Sequence, residues 1–99
     1  MADHKDEEKQ MLRASSGTDA KKLASSIVAH YQNHQDCRSV VIRAIGASAV
    51  NQAIKAVIIA NKYFVRKGQV LSIIPGFNDL EENGVKITSI ELTTKFVNF

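Results

Sequence analysis

The sequence predicts an α/β fold, specifically an α+β two-layer sandwich in which a mixed four-stranded sheet carries two helices on one face. An apolar, strand-type run over Val40–Ile45 stops at Gly46, and a helix-type run begins at once. A helix with one apolar stripe precedes this unit, and an Asn-Gly hairpin signal follows it. The predicted order is β-α-β-α-β-β, and right-handed crossovers place both helices on the same side of the sheet.

The 99 residues correspond to one domain. Residues 1–10 are polar and charged, so we expect a disordered acidic tail there and a single domain over 11–99. The charged start does not resemble a secretory signal, and no run approaches the roughly 20 apolar residues that span a bilayer. Cys37 is the only cysteine and cannot form an internal disulfide. A cytoplasmic protein without membrane association is therefore expected.

The first half of the domain is predicted to start with a short strand over Met11–Ala14. A turn over Ser15–Thr18 follows, with Thr18 as the N-cap of a helix over about 19–33 and Asp19 in its first turn. The apolar residues of this helix have the spacing of one buried stripe: Ala20, Leu23, Ala24, Ile27, Val28 and Tyr31.

The second strand is predicted over Arg38–Ile45. Both of its faces are largely apolar, which is typical of a central strand, and Arg43 is the one charge inside it. Gly46 lets the backbone turn sharply, so the second helix begins at Ala47 or Ser48.

The second helix continues to about Phe64 and has two apolar surfaces. One suits packing on the sheet: Val50, Ile54, Val57, Ile58 and Phe64. The other is a ridge at 4-3-4 spacing that permits close helix contact: Ala49, Ala53, Ala56 and Ala60. Two surfaces require two packing partners, the sheet and either the first helix or a second subunit. This pattern predicts a homodimer.

The last two strands form a predicted hairpin. Gln69–Ile74 is the third strand, and Pro75-Gly76 interrupts it, which indicates an edge strand or a bulge. Asn83-Gly84 predicts a type I′ turn. The fourth strand, Val85–Val97, returns antiparallel, and its apolar phase slips near Ser89, which predicts a bulge there.

The charge distribution is asymmetric. The chain carries 13 Lys and Arg against 10 Asp and Glu, a net charge of +3. Residues 1–9 contain four acids and two lysines, so the remaining 90 residues carry +5. A moderately basic body suggests a polyanionic partner, and a merely solvated basic surface is the alternative.

Catalytic and metal-binding signals are weak. His30 and His34 are four residues apart, with Cys37 just beyond, but a second ligand cluster is missing. The helix dipole alone favours histidine near a helix C-terminus. The glycine motifs of nucleotide-binding loops are absent. We therefore expect no metal site, no cofactor and no enzymatic activity.

Polar residues cluster on the first turns of the second helix, directly after Gly46. They are Ser48, Asn51, Gln52 and Lys55. A solvated helix face is one interpretation of this cluster. The other is a contact surface for a ligand, because a helix N-terminus also offers unpaired N–H groups to an anion.

Two segments resemble a known family. They are Ile42–Val57 (IRAIGASAVNQAIKAV) and Ser72–Phe77 (SIIPGF), and the core GAxAVNQA is fairly specific. Together they resemble stage V sporulation protein S, over about Met11–Val97. That family is more distantly similar to the Alba chromatin and RNA-binding proteins.

The resemblance implies an Alba-like sandwich with sheet order 1-2-4-3, usually dimeric, and a nucleic-acid-binding or regulatory role. The family name implies a part in bacterial sporulation. Archaeal Alba proteins bind DNA through lysines in the first strand–helix loop and arginines around the glycine before the second helix. Lys21, Lys22 and Arg43 lie near these places, whereas the hairpin tip carries Glu81 and Glu82 instead of a basic arm.

These observations favour a small dimeric regulatory protein that binds RNA or DNA with weak sequence specificity. The alternative is a non-catalytic protein-interaction module in a developmental or regulatory complex. Basic residues would contact phosphate, and the amides would contact backbone or bases. The candidate nucleic-acid-binding residues are Lys21, Lys22, Arg43, Ser48, Asn51, Gln52, Lys55, Lys62, Arg66 and Lys67.

Overall fold

The computed structural model describes residues 9–33 and 39–98. The elements follow the predicted order. They are β1 (Lys9–Ala14), α1 (Ala20–Asn33), β2 (Ser39–Ala44), α2 (Ala47–Phe64), a 3₁₀ turn (Val65–Lys67), β3 (Gln69–Glu82) and β4 (Val85–Asn98). Strand β1 begins two residues before the predicted start, because Lys9 and Gln10 pair with Ser39 and Val40 of β2. The prediction of a disordered tail over residues 1–10 is therefore wrong for Lys9 and Gln10. Residues 1–8 lie outside the described residues.

The four strands form one mixed sheet in the order β1-β2-β4-β3. Strand β1 runs parallel to β2, and β4 runs antiparallel to both β2 and β3. The strand order that the resemblance implied is therefore confirmed. As predicted, β2 lies inside the sheet, and its Val40 and Ile42 are fully buried.

Helix α1 begins with Asp19 as its cap instead of Thr18. The Asp19 Oδ1 accepts hydrogen bonds from the backbone N–H groups of Lys21 and Lys22, at 2.9 and 3.3 Å. The Thr18 hydroxyl instead accepts a hydrogen bond from the Ser15 N–H at 2.7 Å and closes the preceding turn. Both residue types suit an N-cap, so composition alone did not decide between them.

The predicted packing of helix α2 is confirmed for the alanine ridge and only in part for the second apolar surface. The alanine ridge is the core face, since Ala49, Ala53, Ala56 and Ala60 are all at most 1% exposed. Val57 and Phe64 join it as predicted, and Val50 is partly buried against it. Ile54 and Ile58, predicted to pack on the sheet, are 38% and 57% exposed. Small side chains allow α2 to approach its neighbours closely, which leaves the larger isoleucines outside.

Strands β3 and β4 form one uninterrupted hairpin from the pair Gln69–Asn98 to the pair Glu82–Val85. The predicted break at Pro75-Gly76 and the predicted bulge near Ser89 are both wrong. Strand β3 is an edge strand, as predicted, and an edge tolerates a proline. The hairpin turn has the positive φ values that a type I′ turn requires at both central residues, 52° at Asn83 and 78° at Gly84.

The alternation of apolar and polar residues in β4 shifts by one position near Ser89, but no bulge causes this shift. Strand β2 pairs with β4 only between Ile90 and Thr93. The hairpin therefore continues past β2 as a two-stranded ribbon over residues 78–89. Strict alternation of apolar and polar residues is required only where one face is buried, so the ribbon need not keep the phase of the sheet.

Candidate nucleic-acid interface

The candidate site lies where the two parallel strands end. Strands β1 and β2 are in register, and their last residues, Ala14 and Ala44, are paired. The loops that lead into α1 and α2 therefore start side by side at one edge of the sheet. Ligands of α/β proteins commonly bind outside the carboxyl ends of such strands.

A cavity of about 540 Å³ opens at this edge, and we call it the arginine groove. Residues from the two strand ends, the two loops, the start of α2 and the hairpin ribbon line it. The polar and charged ones are Arg13, Ser15, Ser16, Arg43, Ser48 and Glu82.

The N-terminus of α2 forms one wall of the arginine groove. Gly46 precedes the helix with φ 95° and ψ 156°, a conformation that favours glycine. No side chain caps the helix by a hydrogen bond, and its first turn contains no acidic residue. The N–H groups of Ala47, Ser48 and Ala49 belong to the first turn, where a helix has unpaired donors. This wall can therefore receive an anion.

Two arginines contribute the positive charge of the groove. Arg13 and Arg43 are register partners in β1 and β2, so their side chains leave the same face of the sheet. Arg43 donates from Nη2 and Nε to the Glu91 Oε2, at 2.9 and 3.1 Å. Asn78 donates to the same oxygen at 2.9 Å. Arg43 is thus held in place and partly neutralised, whereas Arg13 is exposed.

Arg13 was not among the predicted residues. The signal that points to it is the parallel register, which pairs it with Arg43 across the first two strands. That register depends on the pairing of elements 30 residues apart, and the local pattern of the sequence does not contain it.

The hairpin ribbon brings a negative charge to the same groove. Leu80 and Glu82 line the cavity, and Glu81 points along the other side of the strand because neighbouring side chains alternate. A carboxylate beside two guanidinium groups weakens their attraction for a further anion. The arginine groove is therefore a candidate site for anions, with a moderate expected affinity.

The predicted residues of α2 divide into three groups. Ser48 lies in the arginine groove. Gln52 has a structural role, because its Nε2 donates to the Thr18 carbonyl at 2.7 Å and joins α2 to the β1–α1 turn. The third group forms an exposed line at near-helical spacing, which runs along α2 and ends in the 3₁₀ turn: Asn51, Lys55, Lys62 and Arg66. We call this line the basic stripe.

The remaining basic residues lie at opposite ends of the molecule. Lys21 and Lys22 are exposed on the first turn of α1, which begins at the same edge as the arginine groove. Lys67 lies next to Arg66 in the 3₁₀ turn that follows α2. Because α2 has 18 residues, this turn is about 27 Å from the groove at 1.5 Å per residue. The predicted set is therefore not one compact patch.

Two other features bear on function. Within residues 9–33 and 39–98, no group of three or more His, Cys, Asp or Glu is placed to hold a metal ion. His34 and Cys37 of the weak metal signal lie outside the described residues. None of the described helices is both long enough and apolar enough to cross a membrane.

The strand order and the helix layer define an Alba-like two-layer sandwich. A solved structure described as Alba from Thermoplasma volcanium matches with a TM-score of 0.59 and 16% sequence identity, over 87% of this chain and 99% of that one. At this identity the likeness shows the fold alone. The sequence profile of the family described as Stage V sporulation protein S matches residues 10–96. The chain belongs to that family, which confirms the resemblance of the two sequence segments.

Proposed function

We propose that this chain is a small nucleic-acid-binding regulatory protein that acts in the cytoplasm as a homodimer and catalyses no reaction. The arginine groove carries the proposal. It combines the open N-terminus of α2 with the exposed guanidinium of Arg13 and the anchored guanidinium of Arg43. Backbone N–H groups and arginine forks are the groups that proteins use to bind phosphate.

A polymer fits this surface better than a small anion. The basic stripe continues from the groove along the exposed side of α2, and Lys21 and Lys22 flank the groove on α1. Successive phosphates can therefore be contacted one after another along the surface. The family and the fold support a binding and regulatory role of this general kind.

The homodimer accounts for apolar surface that one chain leaves exposed. Ile54 and Ile58 lie one turn apart on the exposed side of α2, and Ile58 lies between Lys55 and Lys62 of the basic stripe. Phe77 is 81% exposed, and the register of β3 places it on the side of Leu71, which faces the helices. A second copy that covers these residues would bury them, with Lys55 and Lys62 at the rim of the contact.

A binding titration with a charge-matched control tests the proposal. Single-stranded RNA, duplex RNA and duplex DNA would be titrated with the wild type, with Arg13→Gln and with Lys95→Gln. Lys95 is exposed on β4 and does not line the groove. We expect Arg13→Gln to weaken binding of at least one nucleic acid, and Lys95→Gln to change it little. Absence of binding by the wild type at low salt would contradict the proposal.

The alternative function is a protein-interaction module. The exposed apolar residues favour this alternative, because a different protein could cover them instead of a second copy of this chain. The two proposals differ in salt dependence. Binding of nucleic acid weakens steeply as salt rises, whereas an apolar protein contact persists at high salt.

A further inference from the structure

A second cavity, of about 330 Å³, lies at the opposite end of α2 from the arginine groove. The ring of Tyr63 forms part of its wall, and side chains from both helices and from β3 surround it. The polar ones are Gln32, Lys67 and Gln69. An aromatic ring, two amides and an ammonium group are the groups that bind a nucleobase and its phosphate.

The ring of Tyr63 is held in place from two sides. Its hydroxyl accepts a hydrogen bond from the Gln32 Nε2 on α1. The ring also contacts Phe64 in a T-shaped arrangement, with centroids 5.2 Å apart and planes at 79°. Phe64 is buried and packs against Tyr31 and Phe96 in turn. A ring fixed in this way loses little conformational entropy when a ligand stacks on it.

Lys67 covers the ring, with its Nζ 4.8 Å from the ring centroid. Such a cation–π contact at an exposed site contributes about 0.5–1 kcal/mol. Stacking of a base on an aromatic side chain contributes about 1–3 kcal/mol. A base can therefore displace the flexible lysine, and the released ammonium group can contact the adjoining phosphate.

We propose that the cavity at Tyr63 binds an unpaired nucleobase of the strand that occupies the arginine groove. This inference rests on the proposed function and adds to it a preference for single-stranded nucleic acid. Lys55 and Lys62 of the basic stripe lie between the two sites. The separation of about 27 Å along α2 corresponds to about eight nucleotides of a stacked strand at 3.4 Å each.

The test compares a single-stranded oligoadenylate of about 12 nucleotides, long enough to reach both sites, with an RNA duplex of the same length. We expect Tyr63→Leu to weaken binding of the single strand by about 5- to 100-fold, the equivalent of one lost stacking contact. Binding of the duplex should not change, because its bases are paired. Tyr63→Phe keeps the ring and should bind the single strand within about twofold of the wild type.

Fluorescence gives a second readout, because the chain has two tyrosines and no tryptophan. A stacked base should quench the Tyr63 emission, and the quenching should disappear in Tyr63→Phe although binding persists. Equal affinity of the wild type and Tyr63→Leu for the single strand would overturn the inference. If Tyr63→Leu lost the same affinity for the single strand and for the duplex, the inference would also be overturned, because a structural defect in the variant affects binding of both. If the wild type binds neither probe, the proposed function fails and this inference fails with it.

Discussion

The hydroxyl group of Thr94 connects β2, β4 and α1 inside the core. Its Oγ1 lies 2.6 Å from the Tyr31 hydroxyl, accepts a hydrogen bond from the Val40 N–H at 3.1 Å and donates one to the Val40 carbonyl at 2.7 Å. Thr94 and Val40 are fully buried. A single side chain thus satisfies several polar groups that water does not reach.

Replacement of Thr94 by valine keeps the shape and removes this hydroxyl. We expect Thr94→Val to lower the free energy of unfolding by about 1–3 kcal/mol, because its partners stay buried. Thr94→Ser retains the hydroxyl and should be less destabilised in a denaturant titration. A valine variant as stable as the wild type would show that the partners find other bonds.

Glu82 is the acidic residue that lines the arginine groove. Neutralising this carboxylate should tighten binding of nucleic acid by about two- to fivefold, the value of one exposed charge interaction. Glu81→Gln is the matched control, since Glu81 is the neighbouring residue and does not line the cavity. Equal effects of Glu82→Gln and Glu81→Gln would mean that only net charge matters.

At the scale of elements, α2 has a buried side and an exposed side. The alanine ridge packs in the core, whereas the isoleucines and the basic stripe lie next to each other on the exposed side. One substitution on each side distinguishes folding from assembly.

Ala56 is fully buried, so a larger side chain there has no space. We expect Ala56→Leu to destabilise the fold by about 1–3 kcal/mol through overpacking. Thermal unfolding followed by circular dichroism measures this loss. An unchanged melting temperature would contradict the close packing of α2.

Ile58 is exposed in one chain and belongs to the proposed dimer surface. Ile58→Glu should give a monomer by light scattering at micromolar concentration while the wild type gives twice the chain mass. A cooperative unfolding transition in the variant would show that the monomer remains folded. A monomeric wild type would contradict the dimer itself.

The sequence predicted the β2–α2 unit closely because its boundaries depend on residues that are neighbours in the chain. Gly46 marks the boundary, and β2 has two apolar faces since it is buried on both. The orientation of α2 was not predictable in the same way. Both of its apolar surfaces satisfied the helical period, and their assignment depended on how closely the neighbouring elements approach.

The lining of the arginine groove was predicted only in part, for the same physical reason. Arg43 and Ser48 were among the predicted residues because they flank the glycine turn. Arg13 was not, because its place in the groove depends on the register of β1 on β2. Gln52 was taken for a ligand contact, and the structure uses it to join α2 to a turn. Polar residues near a helix start serve either purpose, and only tertiary contacts distinguish them.

For the whole molecule, the distribution of charge determines the salt dependence expected of the proposed binding. Residues 10–99 carry a net charge of +5, and the candidate basic residues among them lie at two ends of the molecule and along one side of α2. If three to five phosphates are contacted per chain, the logarithm of the binding constant should fall with the logarithm of salt concentration with a slope of about −2 to −5. Titrations at several salt concentrations measure it. A slope near zero would exclude phosphate contacts as the main source of affinity.

The ribbon over residues 78–89 also has a dynamic consequence. Each of its strands has one neighbour only, so its amide groups are protected by a single row of hydrogen bonds. Its amides should therefore exchange with deuterium faster than those of Ile90–Thr93, through local openings that leave the sheet closed. Because such an opening is independent of global unfolding, the length and charge of this arm can change during evolution while the domain keeps its stability.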